Sequence, residues 1–244
     1  MKTYTILSIA LFTLLACTKD ATPVTVPVKF TSTTYETLGT WDTSGKPNYL
    51  LSMDTISAGV QATIKNTLAE QSDLRTTHPE LLNNPAIADI TITQPSDVFI
   101  TFVSQGATFA NTFAFYTYST DNPPASEKDI KTITYIFPNV GRGTKLKAGD
   151  KVKLGRFDVG TSIGFVLMQD AWDRTLHTLD TDVVHFCSND VLNPEVDPNL
   201  KKHAVLISYS PESKVLIGFE DTDRTTSRCD NDFNDIVTYA TIVH

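Results

Sequence analysis

The densest set of reactive groups lies near the C-terminus, in Gly218-Phe219-Glu220-Asp221-Thr222-Asp223-Arg224 and in Cys229-Asp230-Asn231-Asp232-Phe233-Asn234-Asp235. From Glu220 to Asp235 six carboxylates stand against two arginines. Carboxylates crowded in one loop repel one another unless something cationic sits among them. A hard divalent ion meets that need: calcium takes about six to eight oxygens from carboxylates, amide and backbone carbonyls and water. Asp230, Asp232 and Asn234 alternate, so a curled loop would aim three oxygens at one point, and Glu220 or Asp221 would close the site from the preceding strand. The run begins like an EF-hand loop, but Asp235 stands where the sharp-turn glycine belongs and no bidentate glutamate follows. The bland alternative is a solvated hairpin tip in which Asp and Asn serve as turn formers.

Other chemistries find less support. Oxygen donors dominate and the five histidines show no ligand spacing, which argues against a transition metal. His203 opens an apolar strand and reads as a hydrogen-bonded core or edge residue. There is no GxSxG elbow, HExxH helix, Walker loop or dinucleotide-binding glycine pattern. Glu220 and Asp235 could be cast as a glycosidase pair, but a general acid needs a raised pKa and calcium would lower it. Ser162 enters a strand and is expected to pack. Trp41-Asp42 and Trp172-Asp173 could stack on and hydrogen-bond a sugar, or simply be partly buried. The expectation is a protein that is not an enzyme. A calcium-dependent glycan-active enzyme or accessory subunit is the alternative.

These groups need a scaffold and an address. The chain has 244 residues with 41% hydrophobic and 20% charged side chains, an ordinary globular composition. A net charge of −8 leaves no basic excess for a phosphate backbone, so no nucleic acid is expected as partner. Residues 1–16 have a short basic start at Lys2 and an apolar stretch from Ile6 to Leu15, as in a secretory signal. Leu14-Leu15-Ala16-Cys17 matches the bacterial lipobox, which predicts lipidation of Cys17 and a membrane anchor of several acyl chains. Thr18-Lys19-Asp20 resembles an export signal, so an outer-membrane lipoprotein facing the cell surface is expected, with the periplasmic face as the alternative. Residues 17–30 read as the lipidated cysteine and an extended tether, and 31–244 as one β-rich domain. In an oxidising compartment Cys187 and Cys229 are expected to pair; otherwise they are two buried thiols.

Ile56, Val60, Ile64 and Leu68 recur every four residues and predict a helix, with Met53 one turn earlier and Ser52 or Asp54 as cap. His78-Pro79-Glu80-Leu81-Leu82 predicts a second short turn, with proline at the first helical position. After residue 87 the pattern is strand and turn: 87–93, 98–104, 112–119, 130–137, 151–157, 162–168, 203–209, 214–220 and 236–243, punctuated by Pro, Gly, Asn and Asp. The expected fold class is mainly β: an antiparallel β-sandwich with one or two short helices in the N-terminal half and Greek-key connections.

GFEDTDR followed by DNDFNDIV resembles the signature of the domain-of-unknown-function family 4114, found in LruC-type bacterial lipoproteins and secreted proteins. Residues 111–124, 133–139, 146–172 and 192–209 are similar to that family's blocks in the same order, and 38–51 resembles the segment ahead of them. The resemblance spans most of 38–243. It implies a β-rich extracytoplasmic module with a calcium-binding acidic loop and no established catalytic activity, and it places Glu220, Asp221, Asp230, Asp232, Asn234 and Asp235 on the acidic motif. The family often has glycine where Thr225-Thr226-Ser227-Arg228-Cys229 fills this loop. The resulting expectation is a lipid-anchored envelope module for binding, adhesion or structure, stabilised by calcium, with an extracellular glycan or protein as ligand.

Overall fold

A computed structural model describes residues 28–83 and 89–244. The expected signal peptide and Cys17 lie outside the described residues, as do Ile87 and Ala88 of the first expected strand. Among the described residues no helix is long and apolar enough to cross a membrane.

The chain is mainly β, with two sheets packed over one core. The first has the order β1 (Thr34–Thr37), β5 (Thr132–Phe137), β4 (Thr112–Ser119), β7 (Thr161–Met168), β10 (His185–Cys187), and β2 (Ile90–Thr91) also pairs with β7. The second has the order β11 (Ala204–Tyr209), β12 (Lys214–Phe219), β13 (Ile236–Val243), β3 (Ser96–Ser104), β6 (Lys151–Phe157). All pairs are antiparallel except β1 with β5. A separate two-residue ladder joins β8 (Trp172–Asp173) and β9 (Thr178–Leu179).

Strand alternation builds three layers from these sheets. Phe113, Phe115, Phe165 and Leu167 point inward from β4 and β7, meeting Ile100, Phe102, Ile217 and Phe219 of the facing sheet. Phe113 stacks on Phe165 and meets Phe219 edge-on. Outward from β4 and β7, Ala114, Tyr116, Val166 and Met168 form a second cluster that reaches Phe30. Phe30, at the end of the expected tether, is buried and stacks on His185 with ring centroids 4.6 Å apart. Packing on the domain therefore begins ahead of residue 31.

On the outer face of the second sheet, Leu216, Val237 and Tyr239 meet Val60, Ile64 and Leu68 of α1 (Ala58–Thr67) and the turn after it, with Leu74 of α2 (Leu74–Thr77). The helix begins later than expected. Ser57 is its cap, accepting from the Val60 amide, because Asp54 is already held by Thr101 and Tyr239 across the sheet. Pro79 opens α3 (Pro79–Leu82) at the first helical position, as expected.

Candidate metal centre

β12 and β13 form a hairpin whose last paired residues are Phe219 and Ile236, so the acidic segment 220–235 is its connection. Here the structure departs from a solvated tip. Glu220, Asp221, Asn231 and Asp232 are each no more than 2% exposed, and Arg224 is buried among them. Two features curl this segment inward. Asn231 and Phe233 adopt left-handed backbone with φ of 61° and 57°, unusual for an aromatic residue and costing about 1–3 kcal/mol. Phe233 is held there by its fully buried ring, by Arg224 5.3 Å above that ring, and by an amide bond of 2.9 Å to Glu220 Oε1. Gly218 supplies the space: a Cβ at that position would lie 2.4 Å from the Phe233 carbonyl oxygen.

The expected ligands separate into two groups. The deeper one contains Glu220, Asp221 and Asp235. Glu220 Oε2 accepts from the Cys229 thiol at 3.1 Å. Asp235 Oδ2 accepts from the Asp221 amide at 2.8 Å, while Asp221 Oδ2 takes the Asn111 side-chain amide at 2.7 Å. Burial raises all three carboxyls above their ordinary range, and Asp221 and Glu220 help drive Asp235 up to about 9.

The outer group contains Asp230, Asp232 and Asn234. Asp232 Oδ2 accepts from the Gln71 amide at 2.7 Å and from Asn234 Nδ2 at 2.9 Å, and Oδ1 from the Asn234 amide at 3.1 Å. Burial, with Asp230 and Glu220 nearby, raises Asp232 to about 6. Glu70, from the turn after α1, completes this group. Carboxylate oxygens of Glu70, Asp230 and Asp232 lie within 4.8 Å of one another, with Glu70 and Asp230 exposed and Asp232 buried. Calcium at about 2.4 Å from each of two oxygens allows them to be at most about 4.8 Å apart, so the trio is of the right size for one ion. Asn234 Oδ1 and Glu70 Oε2 both border Gly106, at 2.6 and 3.2 Å from where its Cβ would stand. A side chain at Gly106 would intrude between them.

Glu70 was invisible in the sequence because it sits alone on a polar helix end, far from the loop. The nearest signal is the helix periodicity ending at Leu68, which fixes that turn against β12 and leaves Glu70 beside the loop. The Leu74 amide, bonded to the Asn231 carbonyl at 2.9 Å, holds the same register.

The expected disulfide is corrected. Cys187 and Cys229 are separate buried thiols. Cys187 lies on β10 in the outer cluster of the first sheet, its backbone clasped by Asn193. Cys229 belongs to the loop of the other sheet and donates a hydrogen bond to Glu220. Burial pushes both thiols well above their ordinary range.

Other candidates resolve as packing. His203 is fully buried, stacked on Phe186 at 3.9 Å and paired with Glu195 at 2.7 Å. Ser162 bonds to Thr91 and Thr120. Trp172 is buried and Trp41 partly so.

The hairpin, its buried carboxylates and the strands leading to it all fall in one matched segment. Residues 157–242 match the family model of a domain of unknown function, DUF4114. The DUF4114 match takes in β7 and β10 to β13, including every expected loop ligand. It leaves out α1, Glu70 and strands β1 to β5, so the segment carrying the outer group's third carboxylate comes from outside it. No curated protein and no solved structure matches the chain.

Proposed function

We propose that this protein is a lipid-anchored module of the bacterial cell envelope, serving binding, adhesion or structure, and stabilised by calcium in the hairpin loop. The observation that carries the metal reading is the convergence of Glu70, Asp230 and Asp232 oxygens within 4.8 Å around a buried acidic loop. Asn234 stands beside them to add a neutral oxygen, and water fills the remaining positions, as calcium accepts. A divalent charge here would also lower the raised carboxyls of Asp232, Glu220 and Asp235 by direct attraction. Because Glu70 and the loop come from distant parts of the chain, binding free energy at this point adds to folding free energy.

The anchor rests on the lipobox Leu14-Leu15-Ala16-Cys17, and the Lys19-Asp20 pair behind it favours the outer face of the outer membrane. The partner would be an extracellular glycan or protein.

Asp230→Asn with Asp232→Asn tests the metal reading. The double variant should keep the β-sheet circular dichroism of the parent and lose most calcium affinity in calorimetry. Unchanged affinity would move the ion elsewhere. Cys17→Ser should release the protein from membranes, and a variant that still sediments with them would remove the anchor.

A further inference from the structure

Among the described residues three arginines have no internal partner. Arg75 pairs with Asp73, Arg156 with Asp97, and Arg224 is buried against Asn231 and Lys202. Arg142, Arg174 and Arg228 are exposed, and among the described residues their guanidinium groups make no ion pair or hydrogen bond. The Arg142 backbone and Arg228 lie beside Phe109, and Arg174 lies beside Gly143, next in the chain to Arg142. The Arg142 amide bonds to the Phe109 carbonyl at 2.6 Å. The Arg174 Cδ lies 3.7 Å from where a Cβ of Gly143 would stand. Arg228 lines a cavity of about 540 Å³ together with Phe109, Thr108 and Gln169.

Gln169 also lines a second cavity, of about 570 Å³, whose walls include Tyr35 and Thr181. Its side chain is pinned between them by a 2.6 Å bond to the Asp221 carbonyl. A third hollow of about 390 Å³ lies beside Asp170, Arg174 and Asp180. Each of the first two is in the size range of a small-ligand site, and the shared glutamine makes them neighbours.

The chemistry of the lining selects the ligand. Asp170, Asp173, Asp180 and Asp223 are interleaved with the arginines, each accepting a backbone amide in its own neighbourhood. Four aspartates against three arginines leave no positive excess, and a polyanion would meet these acids on a chain already at −8. An apolar ligand would cover polar groups and give them nothing to bond. A neutral polyhydroxylated chain satisfies both kinds of group, and the partly exposed Phe109 offers a ring for a sugar to stack on.

We propose that this face binds a neutral oligosaccharide, laid across Gln169 with Arg228 and Phe109 as its main contacts. The inference rests on the binding-module reading above and is independent of calcium in the loop. The test is calorimetric titration of the chelator-treated protein with cellohexaose, chitohexaose and maltoheptaose, with polygalacturonate as an anionic comparison. Saturable binding of a neutral oligomer is expected, weakened at least about tenfold by Arg228→Ala and by Phe109→Ala, with the melting point of Arg228→Ala and the calcium affinity of Phe109→Ala unchanged. Three results would overturn the proposal: no neutral oligomer binding, binding untouched by both variants, or binding of polygalacturonate alone. A failed calcium titration would count against the metal reading and leave this result standing.

Discussion

Replacing Asp232 with Asn should change the sign of its effect on stability when calcium is added. In calcium-free protein the Asp232 carboxyl is raised from 3.8 to about 6, chiefly by burial. A carboxyl raised by folding stabilises the native state while protonated, and that contribution is lost as pH climbs from 3.8 through 6. At neutral pH the ionised group therefore costs up to about 3 kcal/mol, which Asn removes. Against this, Asn keeps one carbonyl oxygen where Asp232 accepts three bonds, from Gln71 and twice from Asn234, and losing one or two costs about 1 kcal/mol each. The net expectation is stabilisation of about 1 kcal/mol in chelator near pH 7, turning to destabilisation of about 1 kcal/mol near pH 4, where only the lost bonds count. In calcium at about a hundred times Kd, the parent gains about 2.7 kcal/mol that the variant largely forgoes. Urea unfolding of both proteins, in chelator and in calcium, reads the difference directly. Equal destabilisation in both media would refute the reasoning, because Asp232 would then be stabilising without any ion.

Three further outcomes follow from the geometry. Glu70→Gln, at an exposed position outside the DUF4114 match, should weaken calcium binding at least about tenfold with little change in the calcium-free melt; unchanged affinity would confine the ion to the hairpin. Gly218→Ala should destabilise by about 1–3 kcal/mol in chemical denaturation, since its Cβ would collide with the Phe233 carbonyl, and a neutral result would show that the loop can back away. Thiol titration of the unfolded, unreduced protein should find Cys187 and Cys229 both reactive, with reductant leaving the melt unmoved; fewer thiols would restore the disulfide.

The strands β4, β6 and β13 coincide with the stretches read from sequence because each alternates buried and exposed or twin-faced apolar residues between clear turn signals. The acidic hairpin was legible for the same reason: its flanking strands are unmistakable, and six carboxylates stand between them. What escaped depends on distant pairing. β1 is a short polar stretch, Thr-Tyr-Glu-Thr, that exists as a strand only because β5 lies parallel beside it. β10 has three residues and is fixed by β7. Glu70 joins the loop through the packing of Leu68 and Leu74 on the second sheet, which no local pattern announces. The cysteine pairing went wrong because compartment chemistry says nothing about which sheet each thiol faces.

Glu70, Asp230 and Asp232 surround a loop in which we propose that calcium binds. The most direct test of that proposal is calorimetric titration of the chelator-treated protein with calcium, paired with thermal melts in calcium and in chelator. Saturable binding and a higher melting temperature in calcium are expected. Absence of both heat and stabilisation would contradict the proposal and leave an acidic hairpin held by its own hydrogen bonds.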